Sequence, residues 1–173
     1  MRNLLAVVAI SILACAPATA QPTGLPKIPA DSTDRMLNMR LKSMKWDPIV
    51  PPLGKGSPMI TILHVDPKTH ATQLMIHVPK SFHVAPHWHS ANETHTIVKG
   101  TFIMESGGMR DTLRAGGFNY TPARMIHQAW TLPGEEALLF ITVDGPWDVN
   151  FVDQLPGPYV ATHARAANRP HAH

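Results

Sequence analysis

Cysteine is almost missing from the sequence, since Cys15 is the only one among 173 residues. A chain with one cysteine cannot form an internal disulfide, which excludes a disulfide-rich secreted fold. Charged residues are also scarce, at 16% of the chain, whereas proline is abundant, with 17 residues. This combination argues against long solvated helices and favours short strands joined by turns.

Two further absences narrow the function. Lysine and arginine do not cluster anywhere, and the formal net charge is only +3. The chain therefore lacks the basic surface with which proteins bind nucleic acid, and we expect no nucleic-acid partner. The sequence also contains no Ser/His/Asp or Cys/His arrangement and no glycine-rich phosphate loop, so nucleophilic catalysis by such groups is not indicated.

The first 20 residues, MRNLLAVVAISILACAPATA, have the pattern of a secretory signal peptide. Arg2 supplies the positive start, residues 4–14 form the apolar core, and residues 18–20 form a small-residue cleavage site. The apolar run is shorter than the roughly 20 residues of a membrane-spanning helix. We expect export to the periplasm or the extracellular space, with no membrane span after signal removal. Lipoprotein processing at Cys15 is the alternative.

Residues 86–100, PHWHSANETHTIVKG, hold the densest group of metal-ligating side chains. In a strand, residues i and i+2 point to the same face, so His87 and His89 would face a common point. A bend through residues 90–92 would bring the Glu93 carboxylate to that point. Two imidazoles and a carboxylate suit a divalent transition metal. About 30 residues further on, His127 follows a Gly-rich turn and Pro122, and could be a fourth ligand.

These residues resemble the two motifs of the cupin superfamily. The first motif, HxHxxxExxxxxxG, matches His87, His89, Glu93 and Gly100, and the second matches Gly116, Pro122 and His127. Three positions depart from the motifs: Ser81 and Arg124 replace glycines, and Thr131 replaces a final asparagine. The resemblance covers roughly residues 58–145, and the wider similarity is to small secreted single-domain cupins.

The resemblance implies an all-β protein with a single cupin barrel, that is, a double-stranded β-helix or jelly roll. We place the barrel at residues 58–153, after a Pro-rich N-terminal extension at 21–57 and before a flexible His-containing tail at 154–173. Within the extension, Leu37, Leu41 and Met44 have helical spacing. That segment is interpreted as a short packing helix or an edge-covering strand; the alternative is a segment exchanged between the chains of a homodimer.

The resemblance also implies a site and a function. His87, His89, Glu93 and His127 would hold one divalent metal ion, with Fe or Mn favoured and Zn, Ni, Co or Cu as alternatives. His95 and Tyr120 are the candidates for steering protons; strand alternation places His95 on the same face as Glu93 and predicts that it points into the barrel. An exported single-domain cupin resembles small metal-dependent oxygenases, and this resemblance implies a dioxygenase-like oxidoreductase that acts on a small organic substrate at the open positions of the metal. The alternative is a non-catalytic cupin that binds a small ligand or senses metal.

Overall fold

The structure, a computed structural model, describes residues 36–152 and the backbone of residues 157 and 158. Almost all of its regular structure is β-strand, and two short 3₁₀ helices, Leu41–Ser43 and Pro51–Gly56, precede the main strands. The strands are β1 Asp47–Pro48, β2 Met59–Val65, β3 Thr72–Val78, β4 Phe82–Trp88, β5 Glu93–Lys99, β6 Thr101–Ser106, β7 Met109–Arg114, β8 Phe118–Thr121, β9 His127–Thr131, β10 Ala137–Val143, β11 Asn150–Phe151 and β12 Gly157–Pro158.

These strands form two antiparallel sheets. The first has the order β1-β2-β3-β10-β5-β8, and the second has the order β11-β4-β9-β6-β7, with β12 also pairing with β4. Neighbours in each sheet come from distant parts of the sequence, as when β10 pairs with both β3 and β5. This topology confirms the all-β, jelly-roll prediction.

The hydrophobic core lies between the inner faces of the two sheets. Alternate residues of each strand point inward, so the strands show a buried residue at roughly every second position. The first sheet contributes residues such as Ile60, Leu74 and Ile141, and the second contributes Phe82 and Phe102. Because both sheets are apolar on this face, their packing excludes water from everything placed between them.

Two of the positions that depart from the cupin motifs keep the backbone conformation that glycine favours. Ser81 has a φ of 55° and Arg124 a φ of 64°, both in the left-handed region. The turns therefore retain their shape although the side chains differ. Arg124 also donates its backbone N–H to the carbonyl oxygen of His89, at 2.8 Å, which joins the two motifs directly.

The N-terminal extension differs from the packing-helix prediction. Among residues 36–46, which the structure describes, the one helical turn is Leu41–Ser43, and it buries no residue. Met36 and Leu37 are exposed, at 87% and 59% of their surface. Instead, β1 within the extension pairs with β2 at the edge of the first sheet. Among the described residues of that segment, 36–46, the structure shows no packing helix, so the helix prediction is wrong there; β1 lies just after the segment.

Several predictions fall on residues outside the described range: the signal peptide at 1–20, Cys15, residues 21–35 of the extension, residue 153 of the barrel, and the tail at 154–173 apart from the backbone of residues 157 and 158. Among the residues that the structure describes, no helix has the length and apolar character needed to cross a membrane.

Candidate metal centre

The site is assembled where β4 and β9 pair inside the barrel. His87 lies directly opposite His127 across the β4–β9 ladder. His89 follows at the end of β4, and the bend through residues 90–92 leads to Glu93 at the start of β5. All four side chains are buried, with 1–5% of their surface exposed. The strand alternation expected from the HxH spacing is therefore what directs the imidazoles into the barrel.

Three histidines converge closely enough to hold one ion. One ring nitrogen from each of His87, His89 and His127 lies within 4.8 Å of the other two. The ring centroids of His87 and His127 are 4.2 Å apart, and those of His87 and His89 are 5.0 Å apart. Imidazole nitrogens bind transition metals at about 2.0–2.1 Å, so atoms on opposite sides of one ion are about 4 Å apart.

Backbone carbonyl groups orient all three rings in the same way. The Nδ1 atom of His87 donates to the carbonyl oxygen of Ala85 at 2.7 Å, and that of His127 donates to Met125 at 3.0 Å. The Nδ1 atom of His89 donates to the carbonyl oxygen of Asp148 through a short bond. A ring that uses Nδ1–H in this way turns its Nε2 atom toward the cavity. In metal-ligating histidines, the ring nitrogen that does not bind the metal usually donates such a hydrogen bond.

Glu93 stands beside this three-histidine group rather than fully within it. Its Oε2 atom is 2.9 Å from Nε2 of His89 and 3.3 Å from Nε2 of His95, but it is not among the atoms that lie within 4.8 Å of one another. Its Oε1 atom accepts a hydrogen bond from the indole of Trp147, at 3.2 Å. Two ligands at right angles on one ion are about 3 Å apart, so the His89–Glu93 distance suits adjacent ligands.

Burial keeps most of these imidazoles neutral. Desolvation holds the pKa of His87 well below its usual value, and the neighbouring His127 and His89 lower it further. Desolvation also lowers the pKa of His127 to about 4. A neutral imidazole is the form that binds a metal, so these two rings need lose no proton at neutral pH.

Glu93 and His89 form the charged part of the site. Desolvation alone would raise the pKa of the Glu93 carboxyl, but the nearby His95 and His89 lower it to about 2. Desolvation would likewise lower the pKa of His89, but the Glu93 carboxylate outweighs it and the net shift is upward. The Nε2 atom of His89 and the Oε2 atom of Glu93 are 2.9 Å apart, and a divalent cation would replace the direct attraction between them.

The comparisons with known proteins agree with the fold. The family model described as a ChrR cupin-like domain matches residues 34–146. The chain belongs to the ChrR cupin-like family. Among curated proteins no match was found.

Solved structures show the same fold at low sequence identity. The polyketide cyclase RemF from Streptomyces resistomycificus is 18% identical, with a TM-score of 0.59, over 75% of this chain and 94% of that one. An RmlC-like cupin from Ralstonia eutropha is 17% identical, with a TM-score of 0.58, over 78% and 86%. The Rhodobacter sphaeroides complex of SigE with the anti-sigma ChrR is 20% identical, with a TM-score of 0.50, over 61% of this chain and 51% of that one.

His95 and Tyr120, the two residues expected to steer protons, lie on opposite faces of the barrel wall. His95 is buried inside the barrel, 3.3 Å from the Glu93 carboxylate. Tyr120 is 54% exposed and pairs with Thr94, whereas Glu93 pairs with Thr121. Because neighbours across a ladder share a face, Tyr120 points out of the barrel while Glu93 points in. The structure therefore brings His95 to the candidate centre and does not bring Tyr120 there.

The cavity in front of the histidines is small and mostly apolar. Its volume is about 60 Å³, and its walls include Phe82, Phe102, Leu139, Ile141 and Phe151. One water needs roughly 10–15 Å³ by this measure, so the space admits an ion with a few small ligands. A site of this kind strengthens electrostatic interactions because little water screens them.

Sequence reasoning missed two residues of the centre, both from the chain between β10 and β11. The Trp147 indole donates a hydrogen bond to the Glu93 carboxylate, and the backbone carbonyl oxygen of Asp148 accepts one from His89. The stretch DGPWDVNFV, at residues 144–152, is the signal that could have indicated them, because an indole and two aspartates follow a buried strand there. Their partners lie more than 50 positions away, so no local pattern links them.

Proposed function

We propose that this protein is an exported, metal-dependent cupin with dioxygenase-like oxidoreductase activity on a small organic substrate. The observation that carries the proposal is the common orientation of His87, His89 and His127. Each ring has its Nδ1 atom on a backbone carbonyl oxygen, and one ring nitrogen from each histidine lies within 4.8 Å of the other two. A structural histidine needs no such convergence, whereas a metal ligand does.

The donor set supports one divalent metal ion per chain, with Fe or Mn favoured and Zn, Ni, Co and Cu as alternatives. His87, His89 and His127 would hold it, and Glu93 would join them through the oxygen that lies 2.9 Å from His89. Three or four protein ligands leave positions open for small molecules on a six-coordinate ion. When bound, such a metal supplies Lewis-acid or electron-transfer chemistry toward dioxygen and substrate.

The protein's own residues would control protons and water. His95 is buried against the Glu93 carboxylate and has a pKa lowered by burial, so its ring is neutral and can accept a proton. Trp147 fixes the other carboxylate oxygen through its indole N–H. The apolar walls of the cavity keep bulk water from the reacting groups.

A second candidate function is non-catalytic sensing of a metal or a small ligand. The observation that favours it is the family itself, since its description names ChrR and one similar structure contains the anti-sigma ChrR with SigE. A protein of this kind would bind metal in the same three-histidine centre without turnover. The two candidates share a metal site and differ in whether dioxygen is consumed.

The proposals on export and partners rest on the sequence alone. The signal-peptide pattern of residues 1–20 supports a periplasmic or extracellular protein, with lipidation of Cys15 as the alternative. We propose a small molecule as the principal partner, no nucleic acid, no membrane span after signal removal, and a homodimer as the candidate assembly.

The deciding experiment is metal analysis of the purified protein followed by oxygen uptake. We expect about one equivalent of Fe or Mn in the wild type and a loss of most of it in a His87→Ala, His127→Ala double variant. His64→Ala is the matched control, because His64 lies on β2 and does not line the cavity. Anaerobic protein loaded with Fe(II) should then consume oxygen with organic-acid or phenolic substrates. Metal binding without any oxygen uptake would favour the sensing function, and no metal binding would overturn both.

A further inference from the structure

The inner cavity is closed on the side of the 89–92 loop by the segment between β10 and β11. Asp144 accepts hydrogen bonds from the backbone N–H of Asn92 at 2.9 Å and from its side-chain amide at 2.5 Å. Asp148 accepts from the backbone N–H of Ser90 at 2.8 Å and from its hydroxyl at 2.5 Å. The Trp147 side chain from this segment lines the cavity. These two pairs of hydrogen bonds make this side an unfavourable entrance for a substrate.

A second, larger groove reaches one of the three histidines, His127, from another direction. It lies between the β6–β7 turn and the loop from β8 to β9, has a volume of about 870 Å³, and is lined in part by Met109, Tyr120 and Met125. Met104 and His127 line both this groove and the inner cavity. The groove therefore adjoins the candidate centre, whereas the groove lined by Lys55 and Lys80 shares no residue with that cavity.

Size separates the two spaces. At about 60 Å³ the inner cavity has room for an ion and a small head group, but not for the body of an organic molecule. Pockets that bury a drug-sized ligand measure about 300–1,000 Å³, and the outer groove lies in that range at about 870 Å³. A substrate larger than a few atoms would therefore have to place its body in the groove.

The chemistry of the groove disfavours an anionic body: its lining includes the carboxylates of Glu105 and Asp111. Met109, Tyr120 and Met125 are exposed large side chains, and 79% of the Met109 surface is accessible. Among the described residues that line it, Arg110 is the one arginine or lysine. That guanidinium is already paired with the Glu105 carboxylate, at 2.6 and 2.8 Å. An anionic body would find no unpaired arginine or lysine in this lining, and exposed apolar surface of this kind commonly marks a binding site.

We propose that this groove is the substrate-binding site, and that it takes a neutral, largely apolar small molecule whose oxygen-bearing head group enters past His127. Tyr120, Met125 and Met109 are then the residues that determine specificity. The inference rests on the proposed metal site, because the head group is held there. It gives Tyr120 a role in binding the substrate body, on the outer side of the barrel.

The test compares two neutral probes that share one metal-binding head, acetohydroxamic acid and benzohydroxamic acid. Binding to the Zn(II)-loaded protein is measured by calorimetry, with zinc content determined separately. We expect the phenyl compound to bind about tenfold more tightly or better, because its ring removes apolar surface from water. Tyr120→Ala and Met125→Gln should reduce this ratio toward one and leave the affinity for acetohydroxamic acid unchanged. Phe118→Ala is the matched control, since Phe118 is an exposed aromatic residue on the same strand but outside the groove.

Each outcome decides the inference. A ratio near one in the wild type, or an unchanged ratio in both groove variants, would overturn the groove as the substrate site while leaving the metal centre intact. A similar loss in Phe118→Ala would also overturn it, because the effect would then be general to the strand. A protein that takes up no zinc would overturn the proposed function and this inference together.

Discussion

Gly100 shows why one residue type is needed at the end of the first motif. Its φ is +81°, and a Cβ placed there would lie 2.0 Å from the carbonyl oxygen of Glu136. Backbone cannot move away as a flexible side chain could. Gly108 has a similar φ of +80° but no atom within 4 Å of such a Cβ. Substitution at Gly100 would therefore cause both steric overlap and backbone strain, whereas substitution at Gly108 would cause backbone strain alone.

We predict that Gly100→Ala is much more destabilising than Gly108→Ala. Gly108→Ala should cost about 1–2 kcal/mol, because only the left-handed conformation is strained. Gly100→Ala should cost at least about 2 kcal/mol more, since the backbone of residue 136 must also shift. Urea denaturation of both variants measures the difference. Equal losses would show that the close approach to Glu136 does not determine the choice of glycine.

Arg124 is the converse case, a large residue where the motif has glycine. Its φ of 64° is unfavourable for a side chain with a Cβ, and its guanidinium lies 5.9 Å from the Trp88 ring centroid. We predict that Arg124→Gly raises the free energy of unfolding by up to about 1 kcal/mol. Arg124→Ala is the control, because it removes the same ring contact and keeps the strain. A variant Arg124→Gly no more stable than Arg124→Ala would contradict the prediction.

At the scale of elements, the chain between β10 and β11 completes the centre. It supplies the indole that binds Oε1 of Glu93 and the carbonyl oxygen that binds Nδ1 of His89. The indole and the carbonyl oxygen bind candidate metal ligands but are not candidate ligands themselves. Partners of this kind fix ligand orientation, and their loss typically weakens metal binding by about 10–100-fold.

We predict that Trp147→Phe weakens metal affinity by about tenfold or more. Phenylalanine keeps an aromatic ring in the cavity wall but has no N–H for the Glu93 carboxylate, which then rests on the histidines alone. Competition with a chromogenic chelator measures the affinity. Trp46→Phe serves as the control, because Trp46 contacts His77 away from the cavity. An unchanged affinity in Trp147→Phe would mean that the carboxylate needs no indole to be held in place.

At the scale of the whole molecule, the buried histidines couple stability to pH. The pKa of His127 is lowered from 6.5 to about 4 by burial, and those of His87 and His95 are lowered in the same direction. The unfolded chain binds protons on these rings below pH 6.5 while the folded chain does not. Their contribution to stability is therefore complete above pH 6.5 and is lost as the pH falls toward 4.

The carboxylate adds to this trend at lower pH, and one histidine opposes it. The pKa of Glu93 is lowered from 4.5 to about 2, so its contribution is complete above pH 4.5 and is lost as the pH falls toward 2. The pKa of His89 is raised, so its contribution is present below pH 6.5 and is lost as the pH rises through the folded value.

We predict that the free energy of unfolding of the metal-free protein falls as the pH is lowered from 7 to 4.5. A His87→Gln, His127→Gln double variant should show a shallower fall, because two of the titrating rings are gone. Urea denaturation at a series of pH values in the presence of a chelator measures both slopes. Stability that rises on acidification, or equal slopes in the two proteins, would contradict the neutral state of these rings.

Much of this molecule follows from local pattern. Strand alternation places His87 and His89 on one face, and the hairpin at residues 106–109 follows from the glycines between β6 and β7. Alternation also predicted that His95 faces inward with Glu93. These features depend on backbone geometry over a few residues, so the sequence is sufficient to predict them. The expectation of an N-terminal packing helix did not hold, because spacing alone does not show whether a face has anything to pack against.

The sequence by itself determined the all-β class, the cupin family and the direction in which its motif histidines point. Only the tertiary structure decided that Glu93 lies beside the three histidines, that Trp147 and Asp148 hold the centre, and that Tyr120 faces an outer groove. The physical reason is register. A one-residue change in the pairing of β5 with β8 would exchange inward and outward faces, and that pairing is selected by packing across the whole barrel.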